Sequence, residues 1–176
     1  KLVHDDYEGI SMADYNRCGV PLIEIVTEPD FRSAEEVQDF VEQIALRLKY
    51  AGVCDARMEQ GSLRVDVNIS IMPYGSDIFG TRAEIKNLNS LKAIGRAIEY
   101  EIQRQAEILD NGGTVVQETR RFNDNHGDTK ALRSKEEAHD YRYFPEPDIP
   151  PVLLSDDDLE DIRKSMPELP HVRMAR

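Results

Sequence analysis

The most constraining feature of the sequence is a strict alternation of apolar and polar residues between positions 63 and 71. The apolar positions are Leu63, Val65, Val67, Ile69 and Ile71, and the residues between them are Arg64, Asp66, Asn68 and Ser70. Because successive side chains of a strand point to opposite faces, a period of two predicts a β-strand with one buried face and one polar face. The fold must therefore bury one side of a sheet and leave the other side polar.

A second alternating segment, at positions 81–86, places Arg82, Glu84 and Lys86 on one face. A proline and a glycine between the two segments are turn residues. We expect the two strands to pair as an antiparallel hairpin with a long loop, which brings their polar faces to the same side.

Two helices are predicted from apolar residues at helical spacing. The first begins with the capping box at 33–36 and ends at Gly52, and the second begins at Asn89 or Ser90 and ends at 111–113. Other runs predict strands at 21–27, 114–122 and 129–134, and a last helix at 155–162 that prolines 167 and 170 end. Because no run of strand–helix–strand units is visible, we expect an α+β fold with a largely antiparallel sheet and flanking helices.

The charge balance restricts the class of partner. The chain has 22 Lys and Arg against 34 Asp and Glu, a net charge of −12. A general phosphate-backbone binder needs clustered basic residues, and this balance argues against one. No run approaches the ~20 apolar residues of a membrane span. Walker A and glycine-rich kinase sequences are also absent, so any ATP is held in another way.

Oxygen-bearing side chains at two places are candidate ligands of Mg²⁺. Glu24 lies inside the apolar run 21–27, where a carboxylate must be exposed, paired or bound to a cation. Asp66 and Asn68 share the polar face of the alternating strand, and Glu59 precedes that strand. Such oxygens suit Mg²⁺, whereas an ordinary solvated face is the alternative that spacing alone favours.

The basic residues allow two interpretations as well. Arg82 and Lys86 beside a metal site would suit phosphoryl transfer, which depends on positioning and charge neutralisation. A cross-strand ladder with Glu84 explains them nearly as well. Arg142 lies in an aromatic, proline-rich segment, where it could face a phosphate or stack on a tyrosine.

Long segments of the chain resemble, in order, the B subunits of bacterial aspartyl/glutamyl-tRNA(Asn/Gln) amidotransferases. The matching segments are 16–17, 19–30, 58–68, 84–90, 117–120, 140–148 and 167–170. The resemblance implies a cytoplasmic ligase that uses ATP and Mg²⁺ to phosphorylate the side-chain carboxylate of Glu or Asp misacylated on tRNA. It also implies a heterotrimer, in which the amidase A subunit supplies ammonia and the C subunit braces the other two.

The resemblance assigns roles to individual residues and implies a fold like that of glutamine synthetase and the guanidino kinases. It matches Glu24 to a metal ligand and Asp66 to an aspartate of the same active site, which we expect to be catalytic. We expect further metal ligands and a second catalytic residue beside them, and two arginines as cofactor contacts: Glu59, Asn68 and Glu84 for the metal, Lys86 for catalysis, and Arg82 and Arg142 for ATP. Gln60 and Val65 stand where the family commonly has Glu and Cys.

We expect residues 1–151 to form a catalytic cradle that is incomplete at its N-terminus, and residues 152–176 to lead toward a helical region that grips tRNA. The segment alone is expected not to complete the reaction, and only the aminoacyl end of the tRNA is expected to reach it. The alternatives are a glutamine-synthetase-like carboxylate–amine ligase with a small substrate, or a non-catalytic assembly module.

Overall fold

The computed structural model of the chain describes residues 2–5, 9–16, 18–132, 144–145 and 147–176. They form two compact units, Lys1–Asp30 and Phe31–Arg176. None of the helices in the described part of the chain has the length and apolar composition that crossing a membrane requires.

The first unit contains one antiparallel hairpin, formed by β1 (Leu2–Asp5) and β2 (Ile10–Ala13). The predicted strand at 21–27 is wrong: these residues are irregular and exposed. Its apolar, β-branched composition favours a strand, but a strand also needs a hydrogen-bonded neighbour, and no described residue pairs with it. Glu24 therefore does not occupy a strand face.

The second unit is built around one sheet. Its elements are α1 (Ala34–Tyr50), β3 (Val65–Ile69), β4 (Ala83–Leu88), α2 (Leu91–Asp110), β5 (Glu118–Asn123), β6 (Asp128–Ala131), α3 (Asp156–Ser165) and α4 (Pro170–Met174). The sheet order is β3-β4-β5-β6, with antiparallel β3–β4 and β5–β6 pairs. The α+β class with a largely antiparallel sheet and flanking helices is confirmed, and the likeness to the glutamine synthetase fold stays a prediction.

One strand pair differs from the predicted hairpin pattern. β4 and β5 are parallel neighbours, and α2 connects them. Parallel strands need a crossover of this kind, because a tight turn can join only antiparallel strands. The sheet therefore contains a strand–helix–strand unit, β4–α2–β5, that the sequence pattern did not predict.

The predicted helix starts are confirmed by their caps. Ser33 accepts a hydrogen bond from the backbone of Glu36 at 3.2 Å, and Ser90 and Ser155 cap α2 and α3 in the same way. α3 continues to Ser165, beyond the predicted end. Pro170 was expected to end that helix, but it begins α4, since the first helical turn tolerates a residue without an N–H group.

The hydrophobic core lies between the sheet and α2. Ile85 of β4 and Phe122 of β5 are fully buried, and they pack with Ile94 and Ile98 of α2. α1 packs against α2 and adds Val41 to the same core. The opposite face of the sheet thus carries the polar half of each alternating strand.

A buried polar network ties α2 to the sheet. The Glu101 carboxylate accepts hydrogen bonds from Arg104 Nε at 2.9 Å and Gln105 Nε2 at 3.0 Å. Gln105 also donates to Ile69 O at 3.1 Å and accepts from Ile71 N at 3.2 Å. Burial pushes the pKa of Glu101 upward, but the bonds from Arg104 and Gln105 outweigh it, so the pKa lies below its ordinary value.

Candidate functional site

The polar side of the sheet in the second unit holds the candidate site. We call it the outer sheet face, and it carries Asp66, Asn68, Glu84, Lys86, Thr119, Arg121 and Lys130. Its cross-strand pairs are Asn68 with Glu84, Glu84 with Thr119, Lys86 with Arg121, and Arg121 with Lys130. These pairs follow from the alternation that buries Ile85 and Phe122 on the other side.

Lys86 lies between two carboxylates of this face. Its Nζ is 2.9 Å from Asp66 Oδ2 and 3.2 Å from Glu84 Oε1. The hydrogen bond to Asp66 raises the pKa of Lys86, partial burial opposes the rise, and the bond to Glu84 adds to it. The ammonium therefore keeps its proton at neutral pH and provides a fixed positive charge.

Glu84 is held from two sides. Thr119 Oγ1 donates to Glu84 Oε2 at 2.7 Å, and Lys86 contacts the other oxygen. Asn68 lies directly opposite Glu84 on β3. Carboxylate and amide oxygens at adjacent positions are hard ligands of the kind that Mg²⁺ takes together with several waters.

A β-bulge sets the position of Lys86. The pairing of β3 with β4 shifts by one residue between Val65 and Val67. Two residues of β4, Lys86 and Asn87, therefore lie opposite Asp66, and such an extra residue re-aims the side chains beside it.

Asn87, one of the two residues in this bulge, has a left-handed backbone. Its φ is +69°, a left-handed value that asparagine tolerates better than most residues. Its Nδ2 donates to Phe122 O on β5 at 3.0 Å. The side chain thus fixes the bulge to the neighbouring strand.

The structure brings together only part of the predicted site. Asp66, Asn68, Glu84 and Lys86 share the outer sheet face. Glu59 lies in an exposed turn before β3, and Arg82 is exposed immediately before β4. Glu24 belongs to the other unit, where it is exposed, and Arg142 lies outside the described residues.

The predicted metal-ligand set has members in both units, with Glu24 in the first and Glu59, Asn68 and Glu84 in the second. Within the residues that the structure describes, no three or more His, Cys, Asp or Glu side chains form a group that could hold a metal ion. Asn68 and Glu84 fit as partial ligands. The larger ligand set with Glu24 and Glu59 stays a prediction.

Sequence reasoning missed Thr119, Arg121 and Lys130 as members of this face. Thr119 and Arg121 lie two apart in the predicted strand 114–122, and this spacing indicated that they share a face. The spacing did not indicate which strand lies beside them. Their place next to Glu84 and Lys86 depends on the parallel pairing of β5 with β4.

The family match and the three relatives that follow all point to the same protein family. Residues 1–160 match the sequence model of a family described as "GatB/GatE catalytic domain". A relative from Ruminiclostridium cellulolyticum, named as the B subunit of an aspartyl/glutamyl-tRNA(Asn/Gln) amidotransferase, is 64% identical over the whole chain, which covers 36% of that protein. Proteins of the same name from Caldicellulosiruptor saccharolyticus and Geobacter sp. are 59% and 56% identical, again over the whole chain. The chain covers 37% of each of those two proteins, so it spans little more than a third of such relatives.

Proposed function

Because the chain belongs to the GatB/GatE catalytic-domain family, we propose that it is part of the B subunit of an aspartyl/glutamyl-tRNA(Asn/Gln) amidotransferase. The B subunit is a ligase component that phosphorylates the side-chain carboxylate of Glu or Asp carried by tRNA, with ATP as donor. Ammonia from the amidase A subunit then displaces the phosphate, and the C subunit completes a cytoplasmic heterotrimer. The observation that carries this proposal is the 64% identity with a named B subunit over the entire chain.

Lys86 acts in this proposal as a positive charge rather than as a proton carrier. Its pKa is raised by Asp66 and Glu84, so it stays protonated through the neutral range. Phosphoryl transfer is accelerated mainly by positioning and by charge placed in advance beside the phosphoryl oxygens. Asp66 and Glu84 fix the position of the ammonium, and we propose that the phosphoryl group binds beside it.

The outer sheet face has the donor chemistry for Mg²⁺. Glu84 and Asn68 would hold the ion, with Glu24 and Glu59 as further proposed ligands. The bound ion would neutralise phosphate oxygens and reduce their repulsion of the carboxylate nucleophile. Arg82 and Arg142 are proposed to contact the phosphates of ATP.

The proposal is tested in the assembled complex with all three proteins at full length. We expect Glu24→Ala to abolish formation of Gln-tRNA from Glu-tRNA, ATP and glutamine, because a metal ligand is lost. Hydrolysis of glutamine by the amidase is expected to continue. The matched control is Glu28→Ala, which removes an exposed carboxylate from the same irregular segment.

Two results would count against the proposal in different ways. Full transamidation by the Glu24→Ala complex would refute the assignment of Glu24. Phosphate release that requires free glutamate and ignores Glu-tRNA would refute the function, and it would favour a carboxylate–amine ligase with a small substrate.

A further inference from the structure

One cross-strand row of the outer sheet face carries cations on neighbouring strands. Lys86 of β4 pairs with Arg121 of β5, and Arg121 pairs with Lys130 of β6. We call these residues the basic row. Like charges directly opposite each other destabilise a sheet, and the chain as a whole has a net charge of −12. The adjacent cations of the basic row therefore repel one another, and they are concentrated at one place on a chain that is acidic overall.

In the described part of the chain, only the Lys86 end of the basic row is in contact with carboxylates. Lys86 contacts Asp66 and Glu84. Within those described residues, neither Arg121 nor Lys130 has a carboxylate at ion-pair distance, and both are exposed.

The adjacent residue of β5 shows the opposite situation. Arg120 lies on the inner face, where it contacts Glu118 and, at 3.5 Å, Glu101. Among the residues that the structure describes, β5 thus carries one arginine with carboxylates at ion-pair distance, Arg120, and one without, Arg121. The difference marks the outer end of the basic row as a place where an external anion could supply the missing charge.

We propose that Arg121 and Lys130, at the outer end of the basic row, form a binding subsite for a phosphate group. An arginine fork binds phosphate oxygens in a bidentate manner, and a lysine adds a point charge. The subsite deepens the proposed function and rests on it, because it adjoins Lys86 and Glu84. The phosphate comes either from the triphosphate of ATP or from the backbone of the tRNA acceptor stem.

The test measures binding directly, in the assembled complex with all three proteins at full length. Two probes are titrated separately: inorganic tripolyphosphate and an uncharged RNA minihelix with the sequence of the acceptor stem. The variant is Arg121→Ala with Lys130→Ala. The control is Arg163→Ala with Lys164→Ala, which removes the same charge from exposed positions of α3.

We expect the variant to lose about tenfold or more in affinity for one of the probes, because a charge-assisted hydrogen-bonding group is removed. The control is expected to bind both probes as the unmodified complex does. A loss confined to tripolyphosphate identifies the triphosphate as the ligand. A loss confined to RNA, with a shallower dependence of the binding constant on salt, identifies the RNA backbone.

Undiminished binding of both probes by the variant would overturn the subsite, as would an equal loss in the control. A charge-keeping variant, Arg121→Lys with Lys130→Arg, is expected to retain most of the affinity. The binding measurement needs no turnover. A complex that binds through these residues but does not phosphorylate Glu-tRNA would therefore refute the proposed function and leave the subsite standing.

Discussion

Among single residues, Asn87 is notable because its left-handed backbone lies in the bulge directly beside Lys86. Asn87 has a φ of +69° inside β4, and its side chain is hydrogen-bonded to Phe122 O on the next strand. The resulting bulge places Lys86 at 2.9 Å from Asp66. The unfavourable left-handed backbone of Asn87 is therefore next in sequence to the Lys86 ammonium on the outer sheet face.

Because Asn87 has a left-handed backbone, alanine and glycine at this position should lower the free energy of unfolding by different amounts. We expect Asn87→Ala to lower the free energy of unfolding by about 2 kcal/mol, from the lost hydrogen bond and the left-handed backbone together. Asn87→Gly should cost only about 1 kcal/mol, because glycine adopts this backbone freely. Urea unfolding of the full-length protein measures both values.

Asn111 is the matched control for this pair. It ends α2 with φ −84°, and its Nδ2 donates to Glu107 O at 2.7 Å. Asn111→Ala should therefore cost the hydrogen bond alone. If alanine and glycine at position 87 were equally destabilising, the backbone argument for Asn87 would be wrong.

The sequence correctly predicted those residues of the outer sheet face whose orientation follows from the alternation of apolar and polar residues along one strand. Asp66, Glu84 and Lys86 were assigned to polar strand faces, and the structure places them in contact. Alternation shows which residues share a face of one strand, but it contains no information on register between strands. The bulge at Asn87 and the position of Arg121 depend on register, so neither could be predicted.

At the scale of elements, α2 is held on the sheet by a buried charge network as well as by the apolar core. Glu101 is fully buried, and Arg104 and Arg120 both contact its carboxylate. Removing one member of a buried ion pair leaves its partners without counter-charge, which is much more costly than losing a surface pair. The network is therefore a sensitive point of the fold.

We expect Glu101→Gln to lower the free energy of unfolding by about 3 kcal/mol at neutral pH. Since the pKa of Glu101 is lowered in the folded state, its contribution to stability is present above its ordinary pKa and is lost as pH falls through the folded value. The difference between variant and unmodified protein should therefore shrink on acidification. Urea unfolding at pH 7 and at about pH 3.5 measures it.

The control for this experiment is Glu160→Gln on α3, where Glu160 forms an exposed ion pair with Arg163 at 3.6 Å. Surface pairs of this kind contribute about 0–1 kcal/mol, so a small effect is expected. A gap between Glu101→Gln and the unmodified protein that is as wide in acid as at neutral pH would contradict the role of the Glu101 charge.

Elements with local signals were predictable, and elements that depend on distant partners were not. The capping serines of α1, α2 and α3 and the alternation of β3 act within a few residues, and the structure confirms each of them. The run 21–27 has strand composition, yet no described strand pairs with it. The parallel β4–β5 pair joins segments that α2 separates, which no local pattern encodes.

For the whole molecule, the distribution of the charges is more informative than their sum. The net charge of −12 argues against a general binder of nucleic acid. The outer sheet face nevertheless gathers Lys86, Arg121 and Lys130 in one row. This distribution agrees with the proposed phosphate subsite, which needs positive charge at only one small place on the surface.

We propose that the outer sheet face takes part in ATP-dependent phosphorylation of aminoacyl-tRNA by the full-length protein. The most direct test measures phosphate release from ATP by the assembled complex in the presence of Glu-tRNA and glutamine, with Lys86→Met in the full-length protein. The control is Lys92→Met, which removes an exposed ammonium from the first turn of α2. We predict that Lys86→Met lowers the rate by about 100-fold or more while glutamine hydrolysis continues, and that Lys92→Met keeps the unmodified rate. Release of phosphate by Lys86→Met at the unmodified rate would refute the role of Lys86, and of the outer sheet face, in this reaction.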